Sequence, residues 1–520
     1  MDASGLLTVI AVLLAGAALL SPRTLLDLKI RITGKDNFIF LVLSAFSLYL
    51  LFLDVLKKNG LVLPIPWLWG FDQKSALLAI SLLLMIFIAI KFKETRLPKS
   101  SIKRLGEVFN QLTKDGNFKD VSFLFEKYHE DLLSYLSFRP WYVKLHDFIA
   151  PNYYPRFILQ QDNGWLGKLK IAKNNLRYEI ANLIPSTYWL SEDVDKIIVS
   201  LFKSRNLAVY LSENYPMLGI KVLHQSIGVE DINRDEFISL LLENNHSPLY
   251  RELSQCLYVN ESNCYTVDVS NSILRYLLED VSTCHDLEIY TPIKKHTIDI
   301  IKKECGSNSI YNKPCDNFIG SNERWDCHIY MSIFMFDVMV RESIEQETQN
   351  HLYPNYVFHF AKEIINSINN HETVDMTSEF PTRYYFLLYE CFSAMTTWVN
   401  MFKNREGYTY NSNMELILES LGMMTYYVLE TDKFDDIKKT YFFSVVLSTI
   451  RSLDEAKQEQ YSKKIAKHVT SLHEFKEPAQ QQLDTINRLK KLVINEHFLF
   501  SSLIDKYFLP QIKEATSEKV

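Results

Sequence analysis

A chain of 520 residues is long enough for two to four domains of ordinary size, so a sufficient hydrophobic core is not in question. The whole-chain net charge of −6 hides two unlike parts: residues 1–104 hold thirteen Lys/Arg against six Asp/Glu, a net of +7, and the remainder is net −13. An acidic body repels a polyanion over most of its surface, which argues against nucleic acid as a partner, and seven cysteines, all between Cys256 and Cys391, are too sparse and irregular for a secreted disulfide framework.

Three apolar runs precede residue 92: Ala3 to Leu20, Phe38 to Leu53 and Ser75 to Ile90. Each approaches the roughly 20 residues that cross a bilayer as a helix once snorkelling flanks are counted. The first run follows Asp2 rather than a basic residue, so it reads as a retained span in preference to a signal peptide. Orientation follows from Lys and Arg, because short basic loops stay in the cytoplasm. Arg23, Lys29, Arg31 and Lys35 follow span one, and Lys91, Lys93, Arg96, Lys99, Lys103 and Arg104 follow span three. The loop between spans two and three offers only Lys57, Lys58 and Lys74, so the N-terminus faces outward and the C-terminal body inward. Within that loop, Pro64, Pro66, Trp67 and Trp69 suit a segment lying at the water–lipid boundary. Asp54 reads as a solvated residue near the headgroups rather than an ion-pathway carboxylate.

Beyond residue 104 only ten glycines occur and helical periodicity recurs. Phe123, Leu124, Tyr128, Leu132 and Tyr135 share one face before Pro140 ends the pattern, and similar runs cover 191–204, 271–281, 356–368 and 414–430. Strand evidence is confined to pieces such as 265–269, so the fold class is all-α, a bundle of three transmembrane helices followed by a large irregular helical domain. The expected division is a membrane domain over 1–93, with spans at about 3–20, 38–56 and 75–92, then a basic juxtamembrane linker at 94–104. A helical subdomain at 105–305, a loop at 306–327 and a second helical subdomain at 328–520 follow. No fixed repeat is established by the even spacing of Pro185, Pro216 and Pro248. Residues 384–402 carry Glu390 as their only charge and read as a buried helix of the body, a fourth span being the alternative. The stripe from Ile486 to Tyr507 is read as packing within the domain, with an oligomerisation helix as the alternative.

Chemistry is sparsely marked. Phosphate-binding glycine loops, the G-x-S-x-G elbow and H-E-x-x-H are absent, which leans the reading away from an enzyme. Cys305, Cys315, Cys327 and His328 have ligand chemistry suited to zinc, but intervals of nine and eleven residues instead of tight pairs favour ordinary thiols. The dyads His146–Asp147 and His285–Asp286, with His129 or Asp299 nearby in sequence, are the only support for a metal-dependent hydrolase. Asn260–Glu261–Ser262 matches a glycosylation acceptor that the inward orientation makes meaningless. No catalytic, cofactor-binding or metal-binding residue is assigned. The layout resembles the general plan of membrane-tethered sensors and effectors of bacterial signalling and anti-phage defence, in arrangement and not in motif. It implies a cytosolic interaction or sensor domain at the inner membrane, with the bilayer and either a protein partner or a second copy as partners. A membrane-anchored hydrolase and an oligomeric pore or transporter subunit are the alternatives.

Overall fold

The computed structural model describes residues 21–61, 73–150, 177, 179–181, 183–185, 188–226, 234–315, 318, 322–348, 353–403, 412–470, 491 and 498–511. The protein is all-helical, with no strand among the described residues; the expected strand at 265–269 is reduced to one isolated bridge between Val259 and Tyr265. Two compact units are present, residues 1–207 with 228–232 and residues 208–227 with 233–520.

In the first unit, helix α1 (Pro22–Arg31) starts where the Ser21 hydroxyl accepts from the Thr24 amide and Pro22 fills the first turn. Helix α2 (Gly34–Leu51) opens on a reciprocal capping box between Thr33 and Asp36, and the short helix α3 (Leu53–Lys58) follows. Helix α4 (Gln73–Lys93) packs on α2 through Leu50, Ala76, Leu77 and Ile80. Both α2 and α4 are long and apolar enough to cross a membrane, and only 11% and 22% of their apolar windows are buried. Phe38, Leu41, Leu83, Ile86 and Ile90 stand exposed around them. Two such helices are therefore described where three spans are expected; the run at 3–20 and the Pro/Trp loop at 64–69 lie outside the described residues. Asp54 is exposed on α3.

Helices α5 (Ile102–Lys114), α6 (Phe118–Ser137) and α8 (Trp189–Lys203) pack together, with α7 (Trp141–Ile149) following α6. Their core is Leu105, Phe109, Leu124, Phe125, Tyr128, Val194, Ile198 and Leu201. Gly106 lets α5 and α8 approach, since a Cβ there would stand 2.9 Å from Ile197 Cγ1.

The second unit has an order that its sequence does not display. One layer stacks Arg234–Glu243, Tyr290–Lys303, Tyr353–Ser367, Ser412–Glu430 and Glu459–Val469, each against the next. The other layer stacks Pro248–Gln255, His328–Glu345, Arg383–Lys403, Asp436–Glu455 and Phe498–Leu503. Apart from the short helices Ser272–Glu279 and Ser282–Asp286, the described α-helices from Arg234 onward thus alternate between the layers and supply helix pairs stacked in the manner of an α-solenoid, without a repeated motif. The loop expected to divide two subdomains, 306–327, lies inside this unit, beside helices that pack together. Helix Arg383–Lys403 is a core helix of the array, with Tyr384, Leu387, Leu388, Cys391, Phe392, Met395, Trp398 and Val399 all fully buried. Of the C-terminal stripe, 486–490 and 492–497 lie outside the described residues; Leu503, Ile504 and Tyr507 are buried in the same unit, and the next residue, Phe508, is edge-on to Phe443 at 5.7 Å.

Candidate functional site

Two places concentrate buried charge. The first lies where α1 and α4 meet the helices that follow. Asp27 and Arg31 share the inner face of α1 at an i,i+4 spacing, and both side chains are 3% exposed. Asp27 Oδ2 accepts from Arg31 Nε at 3.1 Å, Arg31 Nη2 at 2.6 Å and Lys127 Nζ at 2.7 Å, while the Tyr128 hydroxyl donates to Oδ1. Burial pushes the Asp27 carboxyl up, but the donors from Lys127, Tyr128 and Arg31 outweigh it and hold the group below its ordinary value. Burial, and then the hydrogen bond to Asp27 and its charge, push the Tyr128 phenol up against an opposing pull from Arg31.

The remaining donors of this network close helix ends. Arg31 Nη1 donates to the carbonyls of Lys91, at 2.7 Å, and Glu94, which are free acceptors at the C-terminus of α4. Arg104 Nη1 donates to Lys29 O at 2.9 Å and Ile32 O at 2.7 Å, doing the same for α1. Lys91 Nζ joins Asp36 at 3.1 Å and Glu94 at 2.8 Å. Beyond them, the Leu97 amide donates to Asp131 at 2.8 Å and the Tyr135 hydroxyl to Leu97 O at 2.7 Å, with Leu97 only 1% exposed. The segment expected to be a linker is therefore fastened on both sides of Pro98, and its last residues, from Ile102, belong to α5. Close by, Lys99 lies 5.3 Å over the Phe138 ring, and α7 presents Trp141, Leu145 and Phe148 as one exposed apolar stripe.

The second place is a cavity of about 70 Å³ in the second unit. Tyr330, Ile333, Phe334, Asp337 and Arg341 line it from one face of helix His328–Glu345, and Glu390, Ser393 and Ala394 line it from helix Arg383–Lys403. Tyr265 covers it from a tight loop in which Asn263 takes a left-handed φ of 62° and the Asn260 side chain accepts from the Cys264 amide. Asp337 is fully engaged, accepting from Arg341 Nε at 2.9 Å, Trp398 Nε1 at 2.7 Å and Tyr265 OH at 2.9 Å. Arg341 also donates to Asn263 O at 2.8 Å and lies 4.7 Å over the Tyr265 ring. Glu390 accepts no hydrogen bond from any described residue. Burial, and then the neighbouring Asp337 charge, push its carboxyl up to about 7, against a smaller opposing pull from Arg324.

The residues singled out in the sequence do not converge. Among the described residues no group of three or more His, Cys, Asp or Glu is placed to hold a metal ion. Cys327 caps its helix by accepting from the Tyr330 amide at 3.5 Å, His328 Nδ1 meets Leu242 O at 2.9 Å, and Cys305 is exposed. His146 lies 3.4 Å from Asp147, which pairs with Arg139; His285 stacks on Tyr290, and Asp286 faces His224 at 3.7 Å. His129 meets Glu126 O at 2.7 Å. His296 sits 3.2 Å from Glu243, with Nε2 buried and unpartnered, and burial holds its pKa below the usual histidine value. Sequence reasoning missed Asp337 and Arg341, although an i,i+4 acid–base pair inside an apolar helix was visible, and it read Glu390 only as an argument about a span. No protein-family model, no curated protein and no solved structure matches the chain.

Proposed function

We propose that the chain is an integral membrane protein of a bacterial inner membrane, with its N-terminus outside and its helical body in the cytoplasm. In this reading the body acts as a sensor or interaction domain, in signalling or anti-phage defence. The observation that carries it is the network around Asp27 and Arg31, which ties the end of α4 to α1 and, through α1, to α5 and α6, while Lys91 pairs with Asp36 at the start of α2. A plain anchor needs only a tether; a fastened junction lets a displacement of the body reach the spans. The basic residues from Lys91 to Arg104 favour an inward-facing exit, and anionic headgroups would stabilise it by about 1 kcal/mol per well-placed charge. The apolar stripe of α7, with Trp141 at one end, suits the same headgroup layer. The stacked pairs of the second unit offer the extended surface that such arrays use for protein partners or a second copy.

Alkaline carbonate washing of membranes carrying the full chain, followed by protease treatment of spheroplasts and of inverted vesicles, tests this. The expected result is a protein retained by the membrane, with the body protected in spheroplasts and digested in inverted vesicles. Release by carbonate, or a body digested in intact spheroplasts, overturns it.

A further inference from the structure

The cavity beneath the 258–266 loop is built around an imbalance in hydrogen bonding. Arg341 is committed to Asp337 and to Asn263 O, and Arg324 lies 4.9 Å over the Trp325 ring and 5.9 Å over Tyr330. Asp337 receives three donors. Of the two carboxylates lining the cavity, Glu390 receives none from any described residue, although a partly buried carboxylate without donors is costly to keep. Around it the walls are aromatic: Tyr265 stands edge-on to Phe334 at 4.9 Å, and Tyr330 stacks with Phe334 at 6.2 Å. Aromatic walls suit an alkyl chain, and a carboxylate without donors suits a head group that carries its own N–H donors.

We propose that this cavity binds a small primary alkylammonium ion, its ammonium group donating to Glu390 and its alkyl part lying against Tyr265, Tyr330 and Phe334. Size agrees, since about 10–15 Å³ accommodates one water, so about 70 Å³ holds a ligand of roughly five heavy atoms. An anion would meet two carboxylates. A zwitterion would need an uncommitted cation among the lining residues; Arg341, which lines the cavity, already serves Asp337, and Arg324, whose Nε is buried and unpartnered, is not part of the lining. A metal ion would need a third protein ligand, and none is grouped there among the described residues. Every residue involved lies in the second unit, so the proposal stands apart from the membrane reading.

Calorimetric titration of the detergent-solubilised full chain with propylammonium, alanine and propionate at equal ionic strength tests it. Propylammonium is expected to bind more tightly than the other two at pH 8 and to weaken as the pH is taken to 6, where Glu390 gains its proton. Glu390→Gln should lower the affinity by about tenfold or more, and Ser393→Trp, which fills the lining beside it, should do the same while leaving Glu390 in place. A wild-type chain that gives no binding heat overturns the proposal, as does alanine or propionate binding more tightly, or an affinity unchanged by Glu390→Gln in a variant that retains its unfolding temperature.

Discussion

Replacing Asp27 with alanine removes the one acceptor shared by Arg31, Lys127 and Tyr128. Lys127 is 28% exposed and turns to water at little cost. Arg31, at 3% exposure, keeps its charge and its bonds to Lys91 O and Glu94 O but loses its counter-ion, and removing one partner of a buried pair costs about 3–5 kcal/mol. The stranded Tyr128 hydroxyl costs about 1–3 kcal/mol more when taken alone, though the two terms share a site and do not add in full. The expected loss is thus about 4 kcal/mol, read as a lowered denaturant midpoint of the full chain in detergent and as faster proteolysis between residues 94 and 101. Asp27→Asn should recover little, because the missing charge is the larger part. Asp27→Ala combined with Arg31→Met should recover the part of the loss that comes from the unpaired charge, since an apolar replacement of the pair itself is nearly neutral, while the stranded Tyr128 hydroxyl and the unbonded carbonyls of Lys91 and Glu94 keep the rest. A double variant as unstable as Asp27→Ala, or a single variant within about 1 kcal/mol of wild type, would refute the charge argument. Because the folded Asp27 titrates below its ordinary range, its contribution is full at neutral pH and lost only as the pH falls through that lowered value.

Glu390 behaves oppositely: its carboxyl is raised from 4.5 to about 7 on folding, so the folded state holds the proton more tightly. The second unit should therefore be most stable below pH 4.5 as far as this group is concerned and lose at most about 3 kcal/mol as the pH rises to 7 and above. Glu390→Gln should flatten that part of a stability–pH curve. Asp337→Asn should leave Arg341 buried without a counter-ion and lower the unfolding free energy by about 3–5 kcal/mol in a denaturant melt. Gly422→Ala places a Cβ 2.6 Å from His468 Cβ and 2.8 Å from Ile465 O, forcing helices Ser412–Glu430 and Glu459–Val469 apart; a thermal melt should show a loss of about 1–3 kcal/mol despite the better helix former. Thiol labelling of the native chain should begin at exposed Cys305, while buried Cys284 and Cys391, whose thiols burial pushes up, label only on unfolding.

Local rules carried the sequence reading as far as they reach. Helical periodicity and the scarcity of glycine determined the all-α class, because a helix is specified by residues three and four apart. The runs at Phe38 to Leu53 and Ser75 to Ile90 fixed two helices suited to lipid, because length and apolarity alone decide that property. The low charge of 384–402 was ambiguous, since a span and a core helix are equally apolar; only the helices packed on both sides of Arg383–Lys403 decided for the core. The two stacked layers of the second unit were equally hidden, because packing constrains which faces are apolar and not which residues repeat. The buried sites show the same limit more sharply. Arg31 reads as part of a basic loop and Tyr128 as one position of a helical stripe about a hundred residues away, and neither points to Asp27, the acceptor they share. Asp337 and Glu390 lie on different helices, and nothing in either helix announces the other. Periodicity is a short-range property of the chain, whereas the partner that makes a charge affordable in the interior is chosen by the fold.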